Sequence, residues 1–401
     1  MRFIFIIVFI CMSCFSFAQK TEIDKATDNI KSRTNLEQSE KTLRSILSDS
    51  IHRGDIKVVQ TLAEVMKTQY EVANEKFYLK EKVDTSSFFH LTRRMLLCYE
   101  NLDSLEATPD AKGRLKIKSR KKNANYLSAI RRNLYNGGLF FVGHADYLSA
   151  YSMMDTYLDC NYQPLFSDIF KTENADLSSD NAAFWTLFCG FMLNRPDSAL
   201  KYKDLALADK SQQSKTLRYL SEVYQLKKDT ANYVSALLAG FDEGSEPDYF
   251  FTRLMDYYND VNKLDSAMMV INKGLSRDKE NGLYLFAKSN VLLNQGYYQE
   301  CIDLSNKLLE RNDSIADVNY NAGVSYLNMA LSLEASSKPQ KKQDAAVIDC
   351  YKKALPYLEK YRSLVPNNPE KWAQSLYNIY YKLNMGRKFE EISKILLNMR
   401  T

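Results

Sequence analysis

The chain has 401 residues, enough for two ordinary domains or one long repeat array. It is 45% hydrophobic and 26% charged with a formal net charge of +5, a soluble composition whose positive excess is too small to argue for a nucleic-acid partner. Only 13 Gly and 8 Pro are present, which disfavours turn-rich β architectures. The 27 Tyr and 20 Phe make aromatic rings a large share of the buried surface.

The first element is a leader. MRFIFIIVFICMSCFSFAQK has one cation, Arg2, then a short apolar run, and ends in Ser16-Phe17-Ala18 before Gln19. Small residues at Ser16 and Ala18 place a signal-peptidase site after Ala18, so residues 1–18 are expected to be removed on export. Acylation at Cys14 is the less favoured reading, because Cys11-Met12-Ser13 is a poor lipoprotein signal. No later stretch has eighteen consecutive apolar residues, so the mature chain is expected to contain no transmembrane segment.

Residues 19–130 form an N-terminal helical region without a clean repeat. DIKVVQTLAEVMKTQYEVANEKFY (55–78) and DTSSFFHLTRRMLLCYENLDSL (84–105) carry apolar residues at helical spacing, with Asp84 placed to cap the second. No stretch shows the sustained alternation of a strand.

From residue 131 the sequence repeats. NKLDSAMMVINKGL (262–275) and GYYQECIDLSNKLL (296–309) share a pattern, and Ala267 to Cys301 is 34 residues, as is Gly274 to Leu308. Tyr224, Tyr258, Leu292 and Tyr326 obey the same ruler, as do Leu207, Phe241, Leu275 and Leu309. Units begin near 180, 214, 248, 282 and 316, and an earlier copy near 131 is followed by an insertion. Small residues such as Ala199, Ala267, Gly274 and Gly323 would let helix axes approach, while Tyr258 and Tyr326 fill wider gaps.

This period is similar to that of the tetratricopeptide repeat (TPR) family, a 34-residue helix–turn–helix. The best-matching pieces are NYNAGVSYLNMA (319–330), NQGYYQECI (294–302) and DSALKYKDLAL (197–207), within a match over 131–369. Met255 and Leu187 stand where the family prefers a small residue, and Tyr233 replaces the usual Ala. The resemblance implies an all-α fold, an α-solenoid of antiparallel helix pairs wound as a right-handed superhelix. The last unit is elongated: a turn at SSKPQKK (336–342) would join two lengthened helices in a protruding hairpin. Residues 370–401 would supply a capping helix pair.

The constellations that carry chemistry are weak. His52, His90 and His144 have no ligand spacing, so no metal site, catalytic residue or cofactor is expected. Gly138 to Gly143 has phosphate-loop glycine spacing but lacks the Lys and Ser/Thr that must follow. Five cysteines lie beyond the leader, Cys98, Cys160, Cys189, Cys301 and Cys350, an irregular set that is no disulfide framework. Cys301 occupies the slot that Ala267 and Ala199 fill in other units, and reads as a small packing residue. Asp followed by Ser or Thr and a small apolar residue recurs, as at Asp229-Thr230-Ala231 and Asp265-Ser266-Ala267. It looks like an O-glycosylation signal of some Gram-negative exported proteins, and serves equally as a helix cap.

Residues 110–132 hold a basic run: Lys112, Arg114, Lys116, Lys118, Arg120, Lys121, Lys122, Arg131 and Arg132, with no acid from Ala111 to Ala145. It is a candidate contact for an anionic surface, or a solvated connector. In TPR proteins the concave face comes from the first helix of each pair. The resemblance places Arg218, Glu222, Gln225, Tyr249, Asp256, Asn259, Phe286, Asn290, Asn294, Tyr320 and Asn328 there. This set is amide-rich and aromatic and lacks the Lys/Arg/Asn clamp that family members use for C-terminal carboxylates. The expected function is a non-enzymatic exported scaffold that binds a protein or peptide partner in the periplasm or at the outer membrane of a Gram-negative cell. The alternative is a glycan or solute binder using the same aromatic groove.

Overall fold

A computed structural model describes residues 20–50, 52–109, 112–115, 117–170, 178–335 and 341–399, with the side chains of 341–343 left aside. The leader at 1–18 and most of the expected hairpin tip at 336–342 lie outside these residues. Every regular element among the described residues is helical. None of these helices is long and apolar enough to cross a membrane.

The chain divides into two compact units, Met1–Glu246 and Pro247–Thr401. In the first, α1 spans residues 20–32. It is followed by α2 (Leu36–Ser48), α3 (Ile56–Tyr78), α4 (Thr85–Glu106), α5 (Arg120–Ile130), α6 (Arg132–Gly143) and α7 (Tyr147–Asp159). Then come α8 (Ser179–Met192), α9 (Pro196–Leu200), α10 (Lys203–Ala208), α11 (Gln213–Leu226) and α12 (Thr230–Glu243). The second unit contains α13 (Pro247–Asp260), α14 (Leu264–Arg277), α15 (Gly282–Gln295), α16 (Tyr298–Arg311), α17 (Ala316–Ala335), α18 (Lys341–Leu364), α19 (Pro369–Lys382) and α20 (Gly386–Asn398).

The helix starts reproduce the sequence ruler. First helices begin at 213, 247, 282 and 316, and second helices at 230, 264 and 298. The protein is therefore all-α, built from consecutive antiparallel helix pairs. Capping fixes several of these starts. The Asp84 carboxylate accepts from Ser86 N at 3.0 Å, Asp55 from Lys57 N at 2.9 Å, Asp229 from Asn232 N at 3.2 Å, and Asn281 from Leu283 N at 3.0 Å. Each satisfies a backbone donor that a helix N-terminus leaves unpaired.

Small residues set the closest approaches. A Cβ on Gly190 of α8 would lie 2.6 Å from the Ala199 Cα of α9, so the two backbones meet where no larger side chain fits. Gly323 of α17 likewise receives Leu358 of α18. Leu187, where the TPR resemblance leads one to expect a small residue, is fully enclosed among Ala199, Leu220, Val223 and Tyr224, with Tyr233 packed alongside. The second unit is anchored by Tyr351, Leu358, Tyr361, Trp372, Leu376 and Tyr380, all buried. The two helices of the elongated unit, α17 and α18, run 20 and 24 residues against 14 for α13 to α16.

One helix departs from the regular pattern. The second helix of the unit starting near 180 is broken into α9 and α10 at Lys201-Tyr202. The break lets both side chains reach one carboxylate on α7: Lys201 Nζ lies 2.6 Å from Asp155 Oδ1, and the Tyr202 hydroxyl lies 3.2 Å from the same oxygen.

Candidate functional site

All of the candidate face residues fall on first helices: Arg218, Glu222 and Gln225 on α11, Tyr249, Asp256 and Asn259 on α13, Phe286, Asn290 and Asn294 on α15, and Tyr320 and Asn328 on α17. Their environments differ. Asp256, Asn259 and Asn294 are exposed. Arg218 is exposed and its Nη1 lies 3.3 Å from Glu246 Oε2, within the first unit, and Glu222 is half-buried.

In the second unit the rings serve the fold as well as the surface. Phe286 packs beside buried Leu285, Leu308 and Val318. Tyr320 sits 5.1 Å from the Tyr361 ring, with Lys371 Nζ 6.0 Å from its own centroid. Asn290 Oδ1 accepts from Asn321 Nδ2, and that amide also donates to Ser289 Oγ at 2.9 Å, which ties α15 to α17. Tyr249 lies 3.9 Å below the Arg253 guanidinium. The half-buried side chains hold successive first helices in register, and the exposed amides and acid stand beside them.

Cys301 belongs to the same seam. It is fully buried, and its thiol donates to the Ser289 carbonyl of α15 at 3.3 Å. Burial pushes its pKa up, which favours the protonated thiol. Glu300 and Asp303 are exposed, and Asp303 accepts from Gln299 at 2.8 Å. All five described cysteines are free and buried.

The basic segment is partly consumed by the fold. Arg120 Nε and Nη2 lie 2.7 and 2.8 Å from the two carboxylate oxygens of buried Asp103, and the Ser119 hydroxyl donates to Glu106 at 2.7 Å. Arg131 is buried: Nε and Nη2 donate to the Tyr157 carbonyl at 3.0 and 2.7 Å, and the guanidinium lies over the Tyr157 and Phe170 rings. Lys112, Arg114, Lys118, Lys121, Lys122 and Arg132 are exposed, and Lys116 lies outside the described residues. Neither Arg120 nor Arg131 is available to an external anion without breaking the fold.

Two of the three histidines sit against aromatic residues. His90 lies 4.9 Å from the Phe141 ring, and His144 Nδ1 contacts the Phe140 carbonyl at 2.8 Å. The glycines at 138 and 143 lie inside α6. Among the described residues, no three His, Cys, Asp or Glu side chains are grouped to hold a metal ion. In the Asp-Ser/Thr motifs at 229 and 265 the Asp is engaged structurally: Asp229 caps α12, and Asp265 accepts from Gln295 at 2.9 Å.

Two features of the first unit escaped sequence reasoning. Glu100 of α4 lies near Cys160, whose sulfur is 3.8 Å from Glu100 Oε1. Burial, then the Asp159 carboxylate, pushes the Glu100 carboxyl up to about 7. Glu40 of α2 collects Arg44 Nε at 2.9 Å, Arg94 Nε at 3.4 Å and Gln69 Nε2 at 3.1 Å. Only the Glu40–Arg44 spacing of four is visible in sequence; the other partners lie on α3 and α4.

No protein-family model matches the chain, and the search of curated proteins gives no match. Among solved structures the chain is similar to YrrB, described as a TPR protein with an unusual peptide-binding site: 18% identity, 51% of this chain and 94% of that one, TM-score 0.35. The C-terminal part of a TPR repeat-containing protein from Cytophaga hutchinsonii aligns at 14% identity over 65% of this chain and 93% of that one, TM-score 0.41. A TPR repeats protein from Bacteroides fragilis aligns at 18% identity over 63% and 98%, TM-score 0.32.

Proposed function

We propose that the chain is an exported, non-enzymatic scaffold of the cell envelope that binds an extended protein or peptide segment along its first-helix face. The observation that carries this reading is the periodic exposure on that face. Asp256, Asn259 and Asn294 stand exposed on successive first helices of one unit, beside the half-buried rings of Phe286 and Tyr320. Amides present both donors and acceptors, so they suit the backbone of an extended segment, and flanking rings supply apolar contact. Export rests on the leader at 1–18, and the exposed cations of 112–132 offer a secondary contact to an anionic surface.

The test is selection of binders from a random peptide library on the chain from Gln19 onward, followed by calorimetry. Replacing Asn259 and Asn294 together by Ala should weaken a selected peptide by about tenfold, and Met269→Ala, 74% exposed on a second helix, should not. Failure to enrich any peptide, or equal affinity in the double variant, overturns the proposal.

A further inference from the structure

A cavity of about 890 Å³ opens in the first unit, and none of the candidate face residues lines it. It sits between α2 and α4, each of which packs on α3. Its volume is that of a small-molecule site. Leu36, Val72, Val83, Phe88 and Leu91 make its apolar lining, with Phe88 held by stacking on Tyr70 at 5.2 Å.

The polar wall is a built arrangement. Glu40 is only 9% exposed; it accepts from Arg44 and Gln69 and is ion-paired with Arg94, whose Nε lies 3.4 Å away. Gln69 Nε2 also donates to the Leu36 carbonyl at 3.1 Å, which fixes the amide. One carboxylate thus positions two guanidinium groups at the cavity and leaves one positive charge uncompensated. Both arginines use Nε on Glu40. The Arg44 Nη2 lies 3.5 Å from the sulfur of buried Met66, a weak acceptor, so Glu40 does not use up the hydrogen-bonding capacity of this guanidinium. Lys41, Lys76 and Lys82 line the same cavity with no ion pair among the described residues. Against the cations stand Glu37, Glu40 and Asp84, and Asp84 is occupied capping α4. Arg33, also in the lining, is engaged by Glu75 at 2.8 Å.

We propose that this cavity is a binding site for a small amphiphilic oxyanion, a carboxylate or phosphate head on a short apolar body. The head would lie against Arg44 and Arg94 with the lysines at the rim, and the apolar body over Val72, Phe88 and Leu91. A guanidinium fork matches both oxyanions, and a fully polar anion would leave the apolar lining unused.

The experiment is calorimetry on the chain from Gln19 onward with four probes: octanoate, octyl phosphate, 1-octanol and inorganic phosphate. Saturable binding of octanoate or octyl phosphate, at least tenfold tighter than octanol and inorganic phosphate, is the expected result, and the tighter of the two identifies the head group. Arg94→Gln should weaken it at least tenfold. Because Arg94 also supports Glu40, a Lys76→Gln/Lys82→Gln double variant provides a check that leaves that contact intact, with an expected loss of about threefold and a shallower salt dependence. The site is overturned if neither amphiphile binds saturably, if octanol or inorganic phosphate binds as tightly, or if folded Arg94→Gln and the lysine double variant both retain full affinity.

Discussion

Replacing Glu100 by Gln should change how the stability of the first unit depends on pH. The carboxyl is raised from an ordinary value of 4.5 to about 7, mainly by burial and then by the Asp159 carboxylate, while the Cys160 thiol and Arg93 pull the other way. A raised acid is held protonated by the fold. Below about pH 4.5 the folded and unfolded chains both carry the proton. Between about 4.5 and 7 the unfolded chain releases it first, so this group's stabilisation falls as pH rises, and above 7 it is gone. Each tenfold in proton affinity is worth about 1.4 kcal/mol, so the span amounts to roughly 3 kcal/mol between pH 4 and pH 8. Gln cannot ionise and retains an acceptor for the Cys160 thiol. Glu100→Gln should therefore be close to wild type at pH 4.5 and more stable by about 2–3 kcal/mol at pH 8. Hydrogen exchange of α4 and α7 amides, corrected for intrinsic rates, reads this locally without requiring the whole chain to unfold in one step. Parallel pH profiles for wild type and variant would refute the reasoning.

Substitutions at four further positions test the packing and a buried ion pair. Cys301→Ala should cost about 1 kcal/mol and Cys301→Leu about 3 kcal/mol or more, since the seam between α15, α16 and α17 has no room for two extra carbons; thermal denaturation checks the order. Gly190→Ala should destabilise by about 2–3 kcal/mol because its Cβ meets Ala199 backbone atoms, whereas Gly143→Ala at the end of α6, with nothing within 4 Å, should be neutral or slightly stabilising. Arg120→Ala strands the Asp103 carboxylate, 3% exposed, and should cost about 3 kcal/mol, a loss that persists in 0.5 M salt; a loss below 1 kcal/mol would mean water replaces the guanidinium.

The repeat ruler was legible because it reports a local constraint. A small residue at 199, 267 and 301 and an aromatic at 224, 258 and 326 recur wherever successive helix pairs must stack, and helix starts at 213, 247, 282 and 316 follow. What stayed hidden depends on partners distant in sequence. Nothing local marks Lys201-Tyr202 as a helix break, because the carboxylate that both side chains reach there, Asp155 on α7, is distant in sequence. Arg120 and Arg131 look like their neighbours in a basic run. Only the fold shows that one is bound to Asp103 and the other is enclosed by Tyr157 and Phe170. The candidate face was legible as a list of positions, but Phe286 and Tyr320 prove half-buried and Asn290 is bonded to Asn321, which the period alone does not distinguish from exposed Asn259 and Asn294. The cavity beside Glu40 draws on α2, α3 and α4 and has no sequence signature beyond the Glu40–Arg44 spacing.

The most direct test of the scaffold reading places a photo-crosslinking residue at Asn259 or Asn294 on the first-helix face, and at Met269 on a second helix, in cells that express the chain natively. The account predicts one discrete adduct shared by the two first-helix positions, identified by mass spectrometry as an envelope protein and absent at Met269. No adduct at Asn259 and Asn294, or the same adduct pattern at Met269, would contradict it.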